Sequence, residues 1–235
     1  MQIFYAPDLT PTDTRYTLSD EESHHCIKVL RMGIGQQMHL IDGRGTLYSA
    51  RIASAHPSRC QIDIEDTQSN YGKRNTHIHI AIAPTKNIER LEWCIEKCTE
   101  IGVDAFTPLL CERSERRQLK PERLQKIIVS AVKQSVKAYM PELNPLTPFE
   151  QFVAHPNTAN GLFIAHCNQN NLPHLRAQAA NHSRIVVLIG PEGDFSPHEV
   201  SLAEQHGYQS ISLGQSRLRT ETAGIVACHL ANLFA

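Results

Sequence analysis

The spacing of hydrophobic and polar positions changes part way along this 235-residue chain. Between Gln36 and Glu65 three short segments alternate, QQMHLID, TLYSARI and RCQIDIE, with the glycine turn DGRG between the first two. Such alternation predicts antiparallel strands with one buried face. Ahead of them, Ser19 and Glu22 have the spacing of a capping box and predict the start of a short helix. The N-terminal region is therefore predicted to be mostly β.

Past the polar stretch 66–76, apolar runs alternate with helical patterns. The runs cover residues 77–83, 104–110, 161–166, 184–190 and 209–214. Alternation of this kind predicts an α/β domain with a largely parallel sheet. The polar stretch has no hydrophobic period, so we expect the domain boundary within it, with domains 1–70 and 71–235.

Two of the predicted helices have well-marked ends. Asn87 is the expected N-cap of the first, whose apolar face ends at Gly102. Ser196, Pro197 and Glu199 supply an N-cap, a first-turn proline and a capping-box carboxylate for a later helix. A loop is therefore expected between the preceding strand and Ser196.

Composition and charge exclude several classes of protein. Lys and Arg total 23 against 24 Asp and Glu, so a site for a polyanion must come from local clustering. The chain lacks a signal-like start and any run of eighteen apolar residues, which predicts a soluble, cytoplasmic protein without membrane contact. Seven scattered cysteines without a CxxC pair indicate reduced thiols. Neither a dinucleotide-binding glycine motif nor a P-loop is present.

Histidines at 77 and 79 share one face of a predicted strand, as metal ligands can. No cysteine or carboxylate lies close to them in sequence, so packed or surface histidines are the better interpretation. We predict no metal site.

Ligands of open α/β sheets bind beyond the carboxyl ends of the strands, and two loops there have unusual sequences. The first, GPEGDFS (190–196), has glycines that allow close backbone approach. The second, LGQSRLRTETAG (213–224), brings Arg219 and Glu221 to the start of the last helix. Either loop alone is as well explained by an ordinary turn or a capped helix, but the two in this order are more specific.

A GPEG loop followed by an LG-x-x-x-LRTETA segment resembles the signature of SPOUT-type ribosomal RNA uridine-N3 methyltransferases. The segments HHCIKVLR (24–31) and TKNIERLEWCIEKCTEIGV (85–103) are also similar to that family, so the resemblance covers nearly the whole chain. It implies an α/β fold: a parallel-sheet methyltransferase domain with a trefoil knot, behind a small N-terminal PUA-like β-barrel. It also implies a homodimer that modifies ribosomal RNA of the small subunit.

The same resemblance implies S-adenosylmethionine as cofactor, held by the two loops largely through the backbone. The implied cofactor-binding residues are Ile189, Gly190, Pro191, Glu192, Gly193, Leu213, Gly214, Leu218, Thr220, Thr222 and Ala223. Arg219 and Glu221 are the catalytic candidates. Arg219 would stabilise negative charge developing on the uridine, while Glu221 would accept the N3 proton or, as we favour, fix Arg219 by a hydrogen bond.

Basic residues cluster in the segment 113–126. Such runs are usually just solvated, but the resemblance favours contacts with RNA phosphates. Together with isolated positions elsewhere, the predicted RNA-binding residues are Lys28, Arg31, Lys86, Arg113, Arg116, Arg117, Lys120, Arg123, Lys133 and Gln134.

The sequence departs from the family pattern at two places. Asp194 stands where the family commonly has the last glycine of GPEGG, and the loop is expected to keep its role if Asp194 faces solvent. A family QSGR segment reads here QSVK, with Val136 and Lys137. Two alternatives stay open, namely a SPOUT enzyme that methylates a ribose 2′-hydroxyl, and a non-catalytic RNA-binding assembly factor.

Overall fold

The structure is a computed structural model that describes residues 2–156, 158–169 and 171–233. The chain forms two compact units. Unit 1 consists of the described residues up to Lys73 together with Val132–Met140, and unit 2 of Arg74–Ala131 together with the described residues from Pro141 onward.

The strands of unit 1 are β1 (Ile3–Tyr5), β2 (Arg15–Thr17), β3 (Gln37–Ile41), β4 (Thr46–Ser54) and β5 (Gln61–Ser69). They form one sheet in the order β1-β3-β4-β5-β2, in which only β1 and β3 run parallel. The three predicted antiparallel strands are confirmed. The core behind them includes Phe4, Leu40 and Tyr48, all fully buried.

Strand β5 runs further than its sequence pattern suggests. Residues 66–69, which we took as part of the polar stretch between domains, pair with Thr46–Ser49 of β4. That interpretation of these four residues is wrong. Their side chains are polar on both faces, so backbone hydrogen bonds of the ladder hold them there without any hydrophobic period.

The short helix of unit 1 is α1 (Asp20–His24), which continues into a π-helical turn, His25–Val29. The Ser19 side chain accepts the N–H of Glu22, as predicted. The reciprocal half of the capping box is absent, because the Glu22 carboxylate accepts a hydrogen bond of 2.6 Å from Lys133 Nζ instead. A tertiary ion pair has thus replaced a local cap.

Unit 2 is built on a parallel sheet, as predicted. Its strands are β6 (His77–Ile82), β7 (Ala105–Leu110), β8 (Glu142–Leu143), β9 (Thr147–Pro148), β10 (Gly161–Ala165), β11 (Arg184–Ile189) and β12 (Gln209–Ile211). The order is β12-β10-β11-β6-β7-β8, with β9 also beside β7, and every one of these pairs is parallel. The two-residue strands β8 and β9 were not predicted, since so short a segment has no period.

The helices are α2 (Ile88–Ile101), α3 (Pro121–Gln134), α4 (Phe149–Ala154), α5 (Leu175–Ala179), α6 (Pro197–Gln205) and α7 (Thr220–Asn232). The predicted ends of α2 are confirmed, with the Asn87 side chain accepting the Glu89 N–H and Gly102 following the last turn. The capping box of Ser196 and Glu199 at the start of α6 is also complete. No helix within the described ranges is both long and apolar enough to cross a bilayer.

The two faces of the parallel sheet are covered by different helices. On one face, α4 and α6 enclose a core that contains Ala81, Phe149 and Val200. On the other, α7 packs on β6 and α2 so closely that a Cβ on Gly224 would lie 2.8 Å from Cys94 Sγ and 2.9 Å from Ile82 Cδ1. Alternating strand residues point to opposite faces, which is why Ala81 and Ile82 belong to different layers.

His79 is a packed histidine, as predicted. Its Nε2 lies 2.7 Å from Thr107 Oγ1, and its ring meets Phe152 edge-on at 5.5 Å. Burial, with a smaller contribution from His77, lowers its pKa to about 4. The ring is therefore neutral over the physiological range.

Candidate active site

The parallel register brings the carboxyl ends of four strands to one edge of the sheet. Ile189 of β11 pairs with Ile82 of β6 and with Ala165 of β10, and Ala165 pairs in turn with Ile211 of β12. The loops that follow these strands are consequently neighbours. Among them are the two loops selected from the sequence, which we call the β11 loop (190–196) and the β12 loop (212–219).

A side-chain hydrogen bond connects the β11 loop to the helix that follows the β12 loop. Thr220, in the first turn of α7, is buried, and its Oγ1 donates to the carbonyl oxygen of Gly190 at 3.1 Å. Gly190 itself has no room for a side chain, since a Cβ would lie 3.1 Å from the backbone nitrogen of Phe195. A tight turn and a helix start therefore meet directly.

The other implied cofactor residues differ in their exposure. Buried positions are Ile189 and Pro191, whereas Glu192, Gly193, Leu213, Gly214, Leu218, Thr222 and Ala223 are half-buried or exposed. Gly214 has a φ of 133°, and a Cβ there would meet no atom within 4 Å. The backbone of the β12 loop is thus exposed at this point.

Glu192 does not project freely from the β11 loop. Its Oε1 accepts a hydrogen bond of 2.8 Å from the backbone N–H of Lys86, in the loop after β6. A carboxylate that accepts a backbone N–H is a strong local anchor. Glu192 therefore fastens the β6 loop to the β11 loop.

Two of the predicted RNA-binding arginines contact protein carbonyls rather than solvent alone. Arg113 Nη1 donates to the Gly193 oxygen at 2.8 Å. Arg116 donates from Nε to the Thr85 oxygen at 3.1 Å and from Nη2 to the Lys86 oxygen at 2.7 Å. Both guanidinium groups hold the loops in place, because each satisfies carbonyls that no strand pairs.

The remaining predicted RNA-binding residues divide into paired and unpaired groups. Arg123 pairs with Glu92, Lys133 with Glu22, and Lys86 with Glu115. Within the described ranges no acidic side chain pairs with the exposed cations Lys28, Arg31, Arg117 and Lys120, and Gln134 is exposed as well.

Arg219 and Glu221 flank the start of α7. Arg219 is exposed and precedes the helix, while Glu221, only 6% exposed, lies in its first turn. Glu221 Oε1 is 3.8 Å from Nε of Arg90, and no bond joins Glu221 to Arg219 in the described part of the chain. The favoured interpretation, that Glu221 fixes Arg219, is wrong. Arg90 was missed, although its place in the first turn of α2, just after a strand-end loop, could have indicated it.

The second oxygen of Glu221 is the more informative one. Oε2 is buried and has no hydrogen-bond partner among the described residues. An unsatisfied buried carboxylate oxygen is costly, and the N-terminus of α7 offsets part of that cost through its backbone N–H groups. Oε2 of Glu221 is thus a buried acceptor that no donor among the described residues satisfies.

Asp194 is half-buried and does not face solvent alone, which was the condition under which the loop was expected to keep its role. It has a φ of 63°. Its Oδ2 accepts the N–H of Cys167, in the loop after β10, at 2.9 Å, and its Oδ1 accepts the N–H of Phe195 at 2.8 Å. The loop after β10 was not selected from the sequence, because its residues carry no recognisable motif.

His166 begins the loop after β10 and is nearly buried. Its Nε2 lies 2.9 Å from Ser210 Oγ, and its Nδ1 accepts the N–H of Asn168 at 3.2 Å. Because Ser210 Oγ donates to Glu204 at 2.7 Å, the proton between the ring and the hydroxyl belongs to the ring. Burial lowers the pKa of His166, which keeps this neutral tautomer in place.

No group of three or more histidine, cysteine, aspartate or glutamate side chains within the described ranges is arranged to hold a metal ion.

Family models match both units of the chain. A model described as RNA methyltransferase domain matches residues 72–232, and one described as RNA methyltransferase PUA domain matches residues 18–65. The second match confirms the predicted PUA-like N-terminal fold.

Individual proteins and structures agree with these matches. Ribosomal RNA small subunit methyltransferase E of Synechocystis sp. is 34% identical over 216 residues, covering 90% of this chain and 70% of that protein. A probable rRNA-methyltransferase from Porphyromonas gingivalis is 41% identical, with a TM-score of 0.91 over 100% of this chain and 98% of that one. A ribosomal RNA small subunit methyltransferase E from Neisseria gonorrhoeae bound to S-adenosyl methionine is 27% identical, with a TM-score of 0.88 over 97% and 95%. The chain therefore belongs to the family of RNA methyltransferases that carry a PUA domain.

Proposed function

We propose that this protein transfers a methyl group from S-adenosylmethionine to N3 of a uridine in 16S ribosomal RNA. The observation that carries the proposal is the hydrogen bond from Thr220 to Gly190, which brings the two signature loops together beside Glu221. The Neisseria relative is described as bound to S-adenosyl methionine, and the curated relatives are named for the small-subunit RNA.

The residues present suit such a cofactor. The β11 and β12 loops offer backbone groups at glycine positions, and the open space at Gly214 admits a ligand without a clash. We assign the cofactor to the implied residues of these segments, Ile189, Gly190, Pro191, Glu192, Gly193, Leu213, Gly214, Leu218, Thr220, Thr222 and Ala223. Bound there, the sulfonium would supply an electrophilic methyl group, and the protein's part is to orient it and exclude water.

Uridine N3 is a poor nucleophile until its proton is removed, so the site must accept that proton or stabilise the resulting anion. Glu221 Oε2, buried and without a partner, is the acceptor we assign to the N3 proton. Arg90 lies within ion-pair distance of the other oxygen of that carboxylate, at 3.8 Å. Arg219 is exposed beside it and would stabilise charge on a uridine carbonyl oxygen.

N3 lies on the Watson–Crick edge, so the target uridine must be unpaired or extruded from a helix. We assign RNA-phosphate contacts to the exposed cations without acidic partners, Lys28, Arg31, Arg117 and Lys120. The other predicted cations instead support the fold: Arg113 and Arg116 donate to loop carbonyls, and Lys86, Arg123 and Lys133 pair with carboxylates. In this scheme residues 1–70 form a PUA-like RNA-binding domain and residues 71–235 the catalytic domain.

We further propose that the chain path of the methyltransferase domain is knotted. We also propose that the protein is a homodimer and lies in the cytoplasm. These proposals are supported by the resemblance of the two signature loops to SPOUT enzymes and by the ribosomal substrate named for the relatives. Sedimentation of the purified protein tests the dimer directly.

The decisive experiment incubates the protein and labelled S-adenosylmethionine with small ribosomal subunits from cells that lack this activity. We expect label in 16S RNA, recovered as N3-methyluridine after digestion to nucleosides. A ribose-methylated nucleoside would favour a 2′-O-methyltransferase. Cofactor binding without any transfer would favour a non-catalytic assembly factor.

Two variants assign the roles of the catalytic candidates. Because Arg219 is exposed, Arg219→Gln should lower the rate constant about 100-fold while leaving thermal stability almost unchanged. Glu221→Gln keeps the shape of the side chain but cannot accept a proton, so it should abolish methylation and preserve cofactor binding. Full activity in Glu221→Gln would exclude Glu221 as the proton acceptor.

A further inference from the structure

We propose that Asp194 is a positioning residue that clamps the β11 loop to the loop after β10, and so sets the affinity of the site for its cofactor. We call the second segment, 166–169, the β10 loop. The inference rests on the proposed function only in taking the β11 loop as part of the S-adenosylmethionine site.

Both oxygens of the Asp194 carboxylate accept backbone N–H groups, one from the β10 loop and one from the next residue of the β11 loop itself. Oδ2 accepts the N–H of Cys167 at 2.9 Å, and Oδ1 accepts the N–H of Phe195 at 2.8 Å. The backbone N–H of Asp194 donates to the Pro191 oxygen at 2.9 Å, which closes the turn around Glu192. With both oxygens engaged, the side chain has one orientation, and the turn is held at its carboxyl end.

The backbone at Asp194 gives independent support. Its φ of 63° lies in the left-handed region, which is unfavourable for residues with a Cβ although aspartate and asparagine tolerate it best. Glycine would adopt this conformation without strain. The carboxylate's two hydrogen bonds offset the strain, and they are what glycine would lack.

A second contact runs between the same two loops. Asn168 Nδ2 donates to the Phe195 oxygen at 3.0 Å. The backbone of Phe195 is therefore held from two sides, at its N–H by the Asp194 carboxylate and at its carbonyl oxygen by the amide of Asn168.

The β10 loop is itself a firm partner. His166 Nδ1 accepts the Asn168 N–H, and His166 Nε2 donates to Ser210 Oγ, which donates in turn to Glu204 of α6. This chain of bonds joins the β10 loop to β12 and α6. Asp194 consequently ties the β11 loop to a segment that is itself bonded to β12 and α6.

The clamp acts on binding more than on chemistry. It holds the β11 loop in one conformation before a ligand binds. A preorganised loop binds more tightly because it loses less conformational entropy on binding. Asp194 has its carboxylate turned away toward Cys167, so it does not act on the methyl group. Its loss should raise KM for the cofactor and leave kcat at saturating cofactor unchanged.

The test compares Asp194→Gly and Asp194→Asn with the wild-type protein. Glycine keeps the left-handed backbone but removes both bonds, whereas asparagine tolerates the same φ and keeps one acceptor oxygen. We expect Asp194→Gly to weaken S-adenosylmethionine binding about tenfold by calorimetry, because a hydrogen bond to a charged acceptor contributes a free energy of that order. The affinity of Asp194→Asn should lie between those of the wild type and Asp194→Gly. Hydrogen exchange of the Cys167 amide should accelerate in Asp194→Gly without cofactor present.

Asn70→Gly is the matched control, because Asn70 has a φ of 57° and lies in unit 1. It should leave cofactor affinity unchanged. Wild-type affinity in Asp194→Gly, or unchanged exchange at Cys167, would overturn the clamp, as would a fall in kcat with KM constant. If the wild-type protein binds no S-adenosylmethionine, the proposed function fails, while amide exchange still decides whether the clamp exists.

Discussion

Thr220 Oγ1 and the carbonyl oxygen of Gly190 are joined by a hydrogen bond of 3.1 Å between residues 30 positions apart. The donor lies in the first turn of α7 and the acceptor at the end of β11. Because both groups are buried, neither can exchange its partner for water. This contact fixes the distance between the two loops that we assign to the cofactor.

Replacing Thr220 by valine tests that contact. Valine keeps the shape of the side chain but leaves the Gly190 carbonyl buried without a donor, so the free energy of unfolding should fall by about 1–3 kcal/mol. Cofactor affinity should fall as well. Urea denaturation and calorimetry measure the two effects, and Thr220→Ser, which keeps the hydroxyl, should stay close to wild type. Equal behaviour of the valine and serine variants would contradict a role for the bond.

Gly224→Ala should separate α7 from its neighbours. The new Cβ would lie 2.8 Å from Cys94 Sγ and 2.9 Å from Ile82 Cδ1, closer than van der Waals contact allows. We expect a loss of about 1–3 kcal/mol in the free energy of unfolding, typical of an overpacked core. Adding Cys94→Ala removes one clashing atom, so the double variant should regain part of the loss. Strict additivity of the two changes would argue against a direct clash.

Val136 has a φ of 56°, which is a strained conformation for a β-branched residue. The resembled family has glycine at this position. Val136→Gly should therefore raise the free energy of unfolding by about 1 kcal/mol, despite the greater freedom of glycine in the unfolded chain. Val136→Asn should also be stabilising, whereas Val136→Ala should gain less. Destabilisation by both glycine and asparagine would show that side-chain packing outweighs the backbone strain.

His79 makes the stability of the protein depend on pH. Burial lowers its pKa in the folded state from 6.5 to about 4, so the unfolded chain binds more protons between these values. The contribution of His79 to the free energy of unfolding is fully present above pH 6.5. It is lost as the pH falls toward 4, by about 3 kcal/mol in all. His79→Gln keeps a polar group near Thr107 but does not titrate, so its stability should change less over this window. Denaturation curves from pH 4 to 7 measure the difference. His166 is also buried, and its effect on the pH dependence of stability is the same in the wild type and in His79→Gln. It therefore cancels in the difference between the two proteins.

Lys120 and Arg116 should respond differently to neutralisation. Lys120 is exposed, whereas Arg116 donates to two loop carbonyls. Lys120→Gln should reduce the slope of log affinity for 16S RNA against log salt by about 1, with cofactor binding intact. Arg116→Gln should instead weaken cofactor binding and alter the salt slope little. The reverse pattern would mean that Arg116, and not Lys120, contacts phosphate.

Local sequence was sufficient to predict the main elements of unit 2. The ends of α2 follow from Asn87 and Gly102, and the start of α6 follows from Ser196 and Glu199, because caps act within one turn. Continuous apolar runs predicted the parallel strands, since both faces of that sheet are buried. The two loops were found because each follows such a strand.

The sequence did not predict which groups the charged side chains would bond. Arg113 and Arg117 look alike in the sequence and are both exposed, yet Arg113 donates to the Gly193 oxygen whereas Arg117 pairs with no acidic side chain of the described residues. Glu221 was expected to pair with its near neighbour Arg219 but lies beside Arg90 of another helix. Hydrophobic periodicity determines which face of a segment is buried, and carries no information on which distant loop will approach it.

The sequence by itself determined the strands, the capped helices and the two signature loops of this protein, because those depend on residues a few positions apart. Tertiary structure alone decided that Asp194 turns to Cys167, that Glu192 anchors Lys86 and that Glu221 keeps one oxygen free. Each of these contacts joins segments distant in sequence, whose separation is set only when helices and strands have packed. The geometry of the site is therefore a property of the packed sheet edge and not of any single motif.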